Sequence, residues 1–486
     1  MDKQRVRESL DSVVGQIRTY VPVMAPYFED DRPLGDYAHG LRTAPDVAPE
    51  HAQRQQQIAH SVRRVLQRSF GPGGPAARVT VESIRVTNIV DHHQVLNHPL
   101  LLGTNIIGNA ARLLSEEAPG PIVTLSCSNV NPSNAYMRNG FRFRGTDIPY
   151  FSAKEHRDVM YYLRPRPFDF VQRLHRMKRW AGFTPADKEF LEEYQSLLNG
   201  LDHSRGSRHR DQLASVVQAT WPLLFSRELR PRVPDLLYAN AEDVAREALI
   251  EVLAQENFLS EALFDAEQRQ HVLDTFRGVV VAWDEAAGKG THFFWRRHPD
   301  RPRLLRLYVE GDALVPADRR YSHLRVPLER QALCEALHRE DIIPSVALYM
   351  TLLLHAGVRP LVGPGSLVYT TQLKDGWLRL LDQHGHAREA RLLAGVDVTG
   401  MVAGTPVFFE RAGSTLRTLY AADVISAGGV DRPYLERVLR TPFKDVLSVG
   451  SSGVYDLFSH TYIPADQRLT ESIGFDEAAT VVHDWL

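Results

Sequence analysis

Three short stretches of this 486-residue chain hold side chains suited to chemistry. The densest is Asp91-His92-His93-Gln94-Val95-Leu96-Asn97-His98-Pro99, with three histidines, an aspartate and an asparagine within eight residues. Histidine titrates near neutral pH, donates to phosphate oxygens and binds metals. A loop of this kind leading into Pro99, a good first-turn residue, opens on a helix N-terminus that favours anions. Any one of these histidines alone is more economically a packing or capping residue. The cluster as a whole points to function, with Asp91, His92, His93 and His98 as catalytic candidates and Asn97 beside them.

The second stretch is Ser126-Cys127-Ser128-Asn129-Val130-Asn131-Pro132-Ser133-Asn134, followed by Tyr136 and Arg138. Asn131 and Asn134 are candidate hydrogen-bonding groups, and Arg138 a candidate clamp for carboxylate or phosphate. A plain Asn/Ser/Pro turn is an equal alternative. Cys127, at the end of an apolar run, reads as inert packing. The third stretch is Gly363-Pro364-Gly365-Ser366-Leu367-Val368-Tyr369-Thr370-Thr371-Gln372-Leu373-Lys374. Gly363 and Gly365 let a backbone approach a ligand. If a helix follows, Tyr369 and Gln372 share a face, and Lys374 supplies charge. A Pro-Gly turn before an ordinary amphipathic helix is the bland alternative. Ser448–Gly453 (SVGSSG) matches no phosphate-loop pattern.

The elements around these stretches read as α/β. Residues 3–20 and 50–69 carry helical spacing, and Gly71–Pro75 breaks the second run. Val79–Val90 suits an extended segment, Leu100–Leu114 a helix weakened by Gly103 and Gly108, and Pro121–Cys127 a buried strand. Strand, loop, helix and strand in that order begin a parallel sheet. Residues 153–275 read as mostly helical, with a helix start at Thr184-Pro185 and further helices at 241–256 and 260–276. Residues 279–315 suggest an antiparallel meander, and 387–430 strands and turns.

Composition bounds the function. Lys and Arg number 57 against 59 Asp and Glu, so no bulk attraction draws the chain to phosphate backbones. The basic stretches Arg205–Arg210 and Arg296–Arg303 read as solvated loops. Two cysteines, Cys127 and Cys334, build neither a disulfide framework nor a thiolate zinc site. The N-terminus lacks an apolar signal core, and no apolar run reaches the ~20 residues that span a bilayer. A cytoplasmic protein without nucleic-acid or membrane partners is expected.

HHQVLNHPLLLGTNIIGNAARLL followed by PIVTLSC, together with GPGSLVYTTQLK after IIPSVALY, resembles two segments of the bacillithiol-biosynthesis cysteine ligase family, whose core is similar to class I aminoacyl-tRNA synthetases. The resemblance covers less than a fifth of the chain. It implies a bacterial biosynthetic ligase or amino-acid transferase that forms a C–N bond on a small molecule, with ATP or another nucleotide as a cofactor to test. Residue by residue it points to His93, Pro99, Gly363, Pro364, Gly365, Tyr369 and Gln372. His92 and His93 stand where the family has glutamines, Ser366 where it has an acidic residue, and the family's long coiled coil has no counterpart. NIVDHH also resembles the Asp-His-His signature of the DHH phosphoesterases, which implies a divalent metal and hydrolysis. The upstream aspartates available for such a site are Asp36 and Asp46. A non-catalytic ligand-binding protein is the third reading.

The expected architecture is a Rossmann-like parallel sheet split by a mostly helical insertion, with a small mixed C-terminal domain. The expected divisions are an N-terminal helical segment (1–77), two core halves (78–150 and 335–385), the insertion (151–334) and the C-terminal domain (386–486). The site would lie where Asp91–His98 faces Gly363–Lys374, with Asn131, Asn134 and Arg138 at its rim. There His92 or His93 would hold phosphate or move a proton, His98 would support the loop or contact the leaving group, and Lys374 or Arg138 would neutralise developing charge. Metal dependence and homodimer formation stay open.

Overall fold

A computed structural model describes residues 2–43, 48–89, 91–115, 120–203, 206–483 and 486. Asp46, Val90 and Arg205, each part of a sequence-based expectation, lie outside the described residues. The centre of the molecule is a four-stranded, wholly parallel sheet. Its strands in chain order are β1 (Val86–Asn88), β2 (Ile122–Ser126), β3 (Leu236–Asn240) and β4 (Arg359–Leu361), and their spatial order is β4-β1-β2-β3. Every residue of all four is buried. A parallel sheet covered by helices selects such continuous apolar runs rather than alternating ones.

The sheet departs from the expected division of the chain. β3 comes from inside the 151–334 segment, where the Leu-Leu-Tyr-Ala-Asn run after Pro234 pairs along all of β2. Val79–Val90 is extended only at β1. The Thr80 and Ser83 side chains form a capping box that turns Val81–Arg85 into a short helix. After β1 the chain keeps pairing with the end of β2: Cys127 N–H donates to the Asp91 carbonyl (2.8 Å), and His93 N–H donates to the Cys127 carbonyl (2.7 Å).

Helix α1 (Pro49–Phe70) packs on the sheet through β3. Helix α2 (Pro99–Ile107) crosses from β1 towards β2 and stops at Gly108. Helix α3 (His209–Thr220) lies in the long connection to β3, α4 (Ala241–Leu253) follows β3, and α5 (Val346–His355) leads into β4. Helix α6 (Pro364–Gln383) starts directly after β4. Gly103 of α2 is a site of close approach rather than a weakness. A Cβ there would lie 1.6 Å from the Thr405 carbonyl oxygen, so α2 lies directly on the strap 401–405, which is hydrogen-bonded to Val362.

Residues 294–344 carry a five-stranded antiparallel sheet, the meander extended by Val326–Pro327 and Ile342–Pro344. Residues 279–281 are not strand; the short ladder there is Trp283–Asp284 with Lys289–Gly290. The 387–430 region is not only strands and turns. It holds the helices Ala387–Ala394 and Ala421–Ser426 around the hairpin Phe409–Ala412/Thr415–Thr418. One contiguous cluster of buried side chains runs from Val13 to Ile463 and takes residues from every expected segment of the chain. Smaller cores lie under 137–216 and between the first and last helices. Among the described residues no helix is long and apolar enough to cross a membrane.

Candidate functional site

Strand order reverses beside β1: the chain steps from β1 to β2 to β3 on one side, then returns to place β4 on the other. Ligands of open α/β sheets collect at the carboxyl ends of strands at such a point. A cavity of about 210 Å³ lies there. The loop after β1 contributes His92, and α2 contributes Leu100, Leu101 and Thr104. The first turns of α6 contribute Gly363, Pro364, Gly365, Ser366 and Tyr369. Tyr136 and the helix Tyr455–Tyr462, through Leu457, Thr461 and Tyr462, close the walls. Val280 and Leu457, about half exposed, give the mouth an apolar rim.

The chemistry of this cavity is sparse and specific. Burial pushes the His92 imidazole down to about 4, against a contact with the Asn134 side chain that favours its proton. The ring is therefore neutral at neutral pH, and its Nδ1 has no hydrogen-bond partner. Tyr136 stands edge-on between His92 and His98, at centroid distances of 4.9 and 4.8 Å. Gly363, at the N-cap of α6, brings no capping side chain; Pro364 has no N–H and the Ser366 and Leu367 N–H groups donate to the Gly363 carbonyl, so the Gly365 N–H is the donor that this positive helix end leaves on the cavity wall. Gly404 lets the strap pass over Gly363, since a Cβ at Gly404 would come within 2.6 Å of the Gly363 Cα.

The other expected site residues are placed elsewhere. His93 is fully buried. Its Nε2 bonds the Arg210 carbonyl (2.6 Å), so that nitrogen carries the proton, and its Nδ1 accepts from Ser126 Oγ (2.7 Å). It ties the start of α3 to the sheet and does not line the cavity. His98 caps α2, accepting from Leu100 N–H at 3.3 Å, and burial holds it down to about 3. Asn97 clamps the loop, donating to the Tyr136 carbonyl (2.7 Å) and accepting from Arg142 N–H (2.9 Å). Asn134 holds a local turn through the Asn131 carbonyl and the Tyr136 and Met137 N–H groups, and Asn131 itself is exposed. Gln372 is exposed one turn beyond Tyr369 on α6. Lys374 donates its Nζ to the Ala394 and Val396 carbonyls (3.0 and 2.6 Å), ending the helix Ala387–Ala394. Arg138 lines a separate cavity.

Beneath the His92 loop lies a buried polar network. The Asn105 amide group accepts from Asn88 (3.2 Å) and Thr124 (2.8 Å) and donates to Asp91 Oδ2 (3.1 Å), to which the Tyr238 hydroxyl also donates. Burial raises the Asp91 carboxyl to about 7, although both donors favour its charged form. At the end of β2, the Ser128 and Asn129 N–H groups form a concavity suited to an anion, and Glu242 of α4 already fills it at 2.9–3.0 Å. That loop end is thus closed to an external phosphate. Burial drives the Cys127 thiol well above its usual range, as an inert side chain requires.

The Asp91-His92-His93 set does not present ligands to one point. Asp91 is engaged by Tyr238 and Asn105, His93 has both ring nitrogens bonded, and Asp36 lies on the helix Leu34–Arg42. Among the described residues no group of three or more His, Cys, Asp or Glu side chains is placed to hold a metal ion. Sequence reasoning missed the walls supplied by Thr104, Val280, Gly404, Leu457 and Tyr462; the only local signal among them is the small-residue run Ala403-Gly404-Thr405. No family model, curated protein or solved structure matches the chain.

Proposed function

We propose that this chain is an enzyme acting on a small organic molecule of about amino-acid size, bound where β1 and β4 end. The observation that carries the reading is His92: a neutral imidazole with an unpartnered Nδ1, on the wall of an apolar cavity at the reversal of strand order. The strand order β4-β1-β2-β3 supports reading the sheet as Rossmann-like, because the Rossmann order also turns back beside its first strand. A volume near 210 Å³ is below the roughly 300–1,000 Å³ of drug-sized ligand sites, which favours an amino acid or short carboxylate over a whole nucleotide.

The chemistry proposed is acyl transfer from an ester to an amine: the amine nitrogen attacks the ester carbonyl carbon, the C–N bond forms as the C–O bond breaks, and the alcohol leaves with the proton that the amine gives up. The start of α6 at Gly363–Gly365 would hold a carboxylate or carbonyl oxygen and stabilise negative charge as it develops. His92 would accept the proton released by the attacking amine, with Tyr136 fixing its ring plane. The aromatic walls would exclude water. Lys374 has no part in this, being committed to a helix end.

The test is a thermal-shift and calorimetric screen of the full chain with amino acids, short dicarboxylates, AMP and ATP. A ligand that binds only the folded state raises the melting temperature saturably. We expect an amino-acid-sized ligand to do so, and the shift to vanish in His92→Ala and in Ser366→Phe, which fills the cavity, while the unliganded melting temperatures stay near that of the parent. A shift from the same ligand that survives both substitutions would overturn this assignment, as would the absence of binding by every amino acid and carboxylate tested.

A further inference from the structure

Four arginines converge on a second cavity, of about 450 Å³, which shares no lining residue with the first. They are Arg138, Arg173, Arg176 and Arg179, from a turn and from the end of the helix Phe170–Arg176 with the segment after it. Among the described residues two carboxylates answer them. Arg138 lies 3.6 Å from Asp147, and Arg173 and Arg176 share Asp169 at 2.6 and 3.4 Å. Among the described residues Arg179 pairs with no carboxylate. The lining therefore carries an excess of two positive charges on a chain whose net charge is −2. Like charges gathered this closely repel one another, and packing does not demand them: Arg176 and Arg179 are exposed.

The backbone is strained at the same place. Arg138 (φ 52°), Asn139 (φ 64°) and Lys178 (φ 58°) are three of the six described non-glycine residues in the left-handed region. The first two form one wall, and Lys178 sits between the lining residues Met177 and Arg179. Such conformations are disfavoured for L-residues and gather where a side chain must be aimed. Arg138 Nε is buried there with no partner. Phe151 and Met177 give the cavity an apolar side, and Met177 is one of the few large apolar side chains left exposed among the described residues.

We propose that this cavity is a second binding site, for a small phosphomonoester with an apolar body. The dianionic phosphate would take the two uncompensated charges, with the guanidinium groups of Arg176 and Arg179 as its main donors and the unpartnered Nε of Arg138 beside them. The body would pack on Phe151 and Met177. The basic groups gather in one cavity rather than along a stripe, which favours a small molecule over a nucleic-acid backbone.

Calorimetry of the full chain with phenyl phosphate, inorganic phosphate, neutral glycerol and a twelve-residue oligothymidylate tests this. We expect one saturable site for phenyl phosphate, several-fold weaker binding of inorganic phosphate and none of glycerol. The exposed pair Arg176→Gln/Arg179→Gln should weaken phenyl phosphate at least tenfold and leave the melting temperature of the free protein unchanged. The His92→Ala variant should bind phenyl phosphate as the parent does, which separates this site from the first. Equal affinity for the two phosphates would overturn the apolar subsite. Binding unchanged in the double variant, or no saturable binding, would overturn the site itself. Oligothymidylate binding more tightly than phenyl phosphate and displacing it would make the surface a nucleic-acid one instead.

Discussion

Asp91→Asn isolates a carboxyl whose protonation state the fold controls beneath the candidate site. Asp91 is fully buried, and its carboxyl stands at about 7 in the folded chain against 3.8 when unfolded. The group therefore keeps its proton in the native state over a range where the unfolded chain has released it. Its stabilising share is complete below pH ~4 and is lost as pH rises to ~7. Three units at 1.36 kcal/mol each give a ceiling of about 4 kcal/mol. Asparagine is isosteric, and its Oδ1 can accept from Tyr238 and Asn105 as the carboxyl does; its amide nitrogen loses the bond that the carboxyl takes from the His92 N–H, a cost independent of pH, so the variant removes the titration alone from the pH dependence. The assay is urea unfolding of both proteins at pH 5, 6, 7 and 8 at fixed ionic strength. The difference between them removes every other titrating group. It should grow in favour of Asp91→Asn by about 2.5 kcal/mol from pH 5 to pH 8 and level off above pH 7. A difference flat over that range, or one moving towards the parent, would mean that Asp91 ionises normally in the fold, and the reading of the network as a neutral buried cluster would fail.

His93→Ala removes two buried hydrogen bonds that join α3 to the sheet; a loss of about 2–4 kcal/mol in urea is expected, and an unmoved midpoint would return His93 to the list of functional candidates. Gly103→Ala places a Cβ against the Thr405 carbonyl, so it should destabilise by about 1–3 kcal/mol and weaken whatever binds at the His92 cavity; a neutral melt would show that the strap 401–405 is free to move. Lys374→Met removes two bonds to a helix end and should cost about 1 kcal/mol with no change in ligand affinity, whereas lost affinity with an unchanged melt would place Lys374 in the site after all.

What the sequence could convey about the site follows from what local patterns encode. The loops at Asp91–Pro99 and Gly363–Ser366 are legible because histidine, proline and glycine mark strand ends and helix starts by their own chemistry, and these two loops do border one cavity. Which histidine faces that cavity is not legible. Successive residues of an extended segment point to opposite sides, so His92 and His93 diverge. Their roles are then set by what covers each side: the start of α6 over His92, and Arg210 of α3, more than a hundred residues away, over His93. Helical spacing paired Tyr369 with Gln372 in the same way. It describes the face but not the axis, and α6 runs out of the cavity before its third turn, leaving Gln372 in solvent. The sheet shows the same limit. β2 stands out as a run bounded by Pro121, whereas β3 lies among helices, and five residues buried on both faces carry no period that separates strand from helix. Proximity across long stretches of chain decides the rest. Arg138 is an isolated basic residue in the sequence, and it meets Arg173–Arg179 only because the hairpin Gly140–Phe143/Thr146–Pro149 packs its second strand on the helix Phe170–Arg176. Arg173, Arg176 and Arg179 do recur at three-residue spacing, which reads as a solvated helix face; that Arg138 and the hairpin close a cavity over them can be found only in three dimensions.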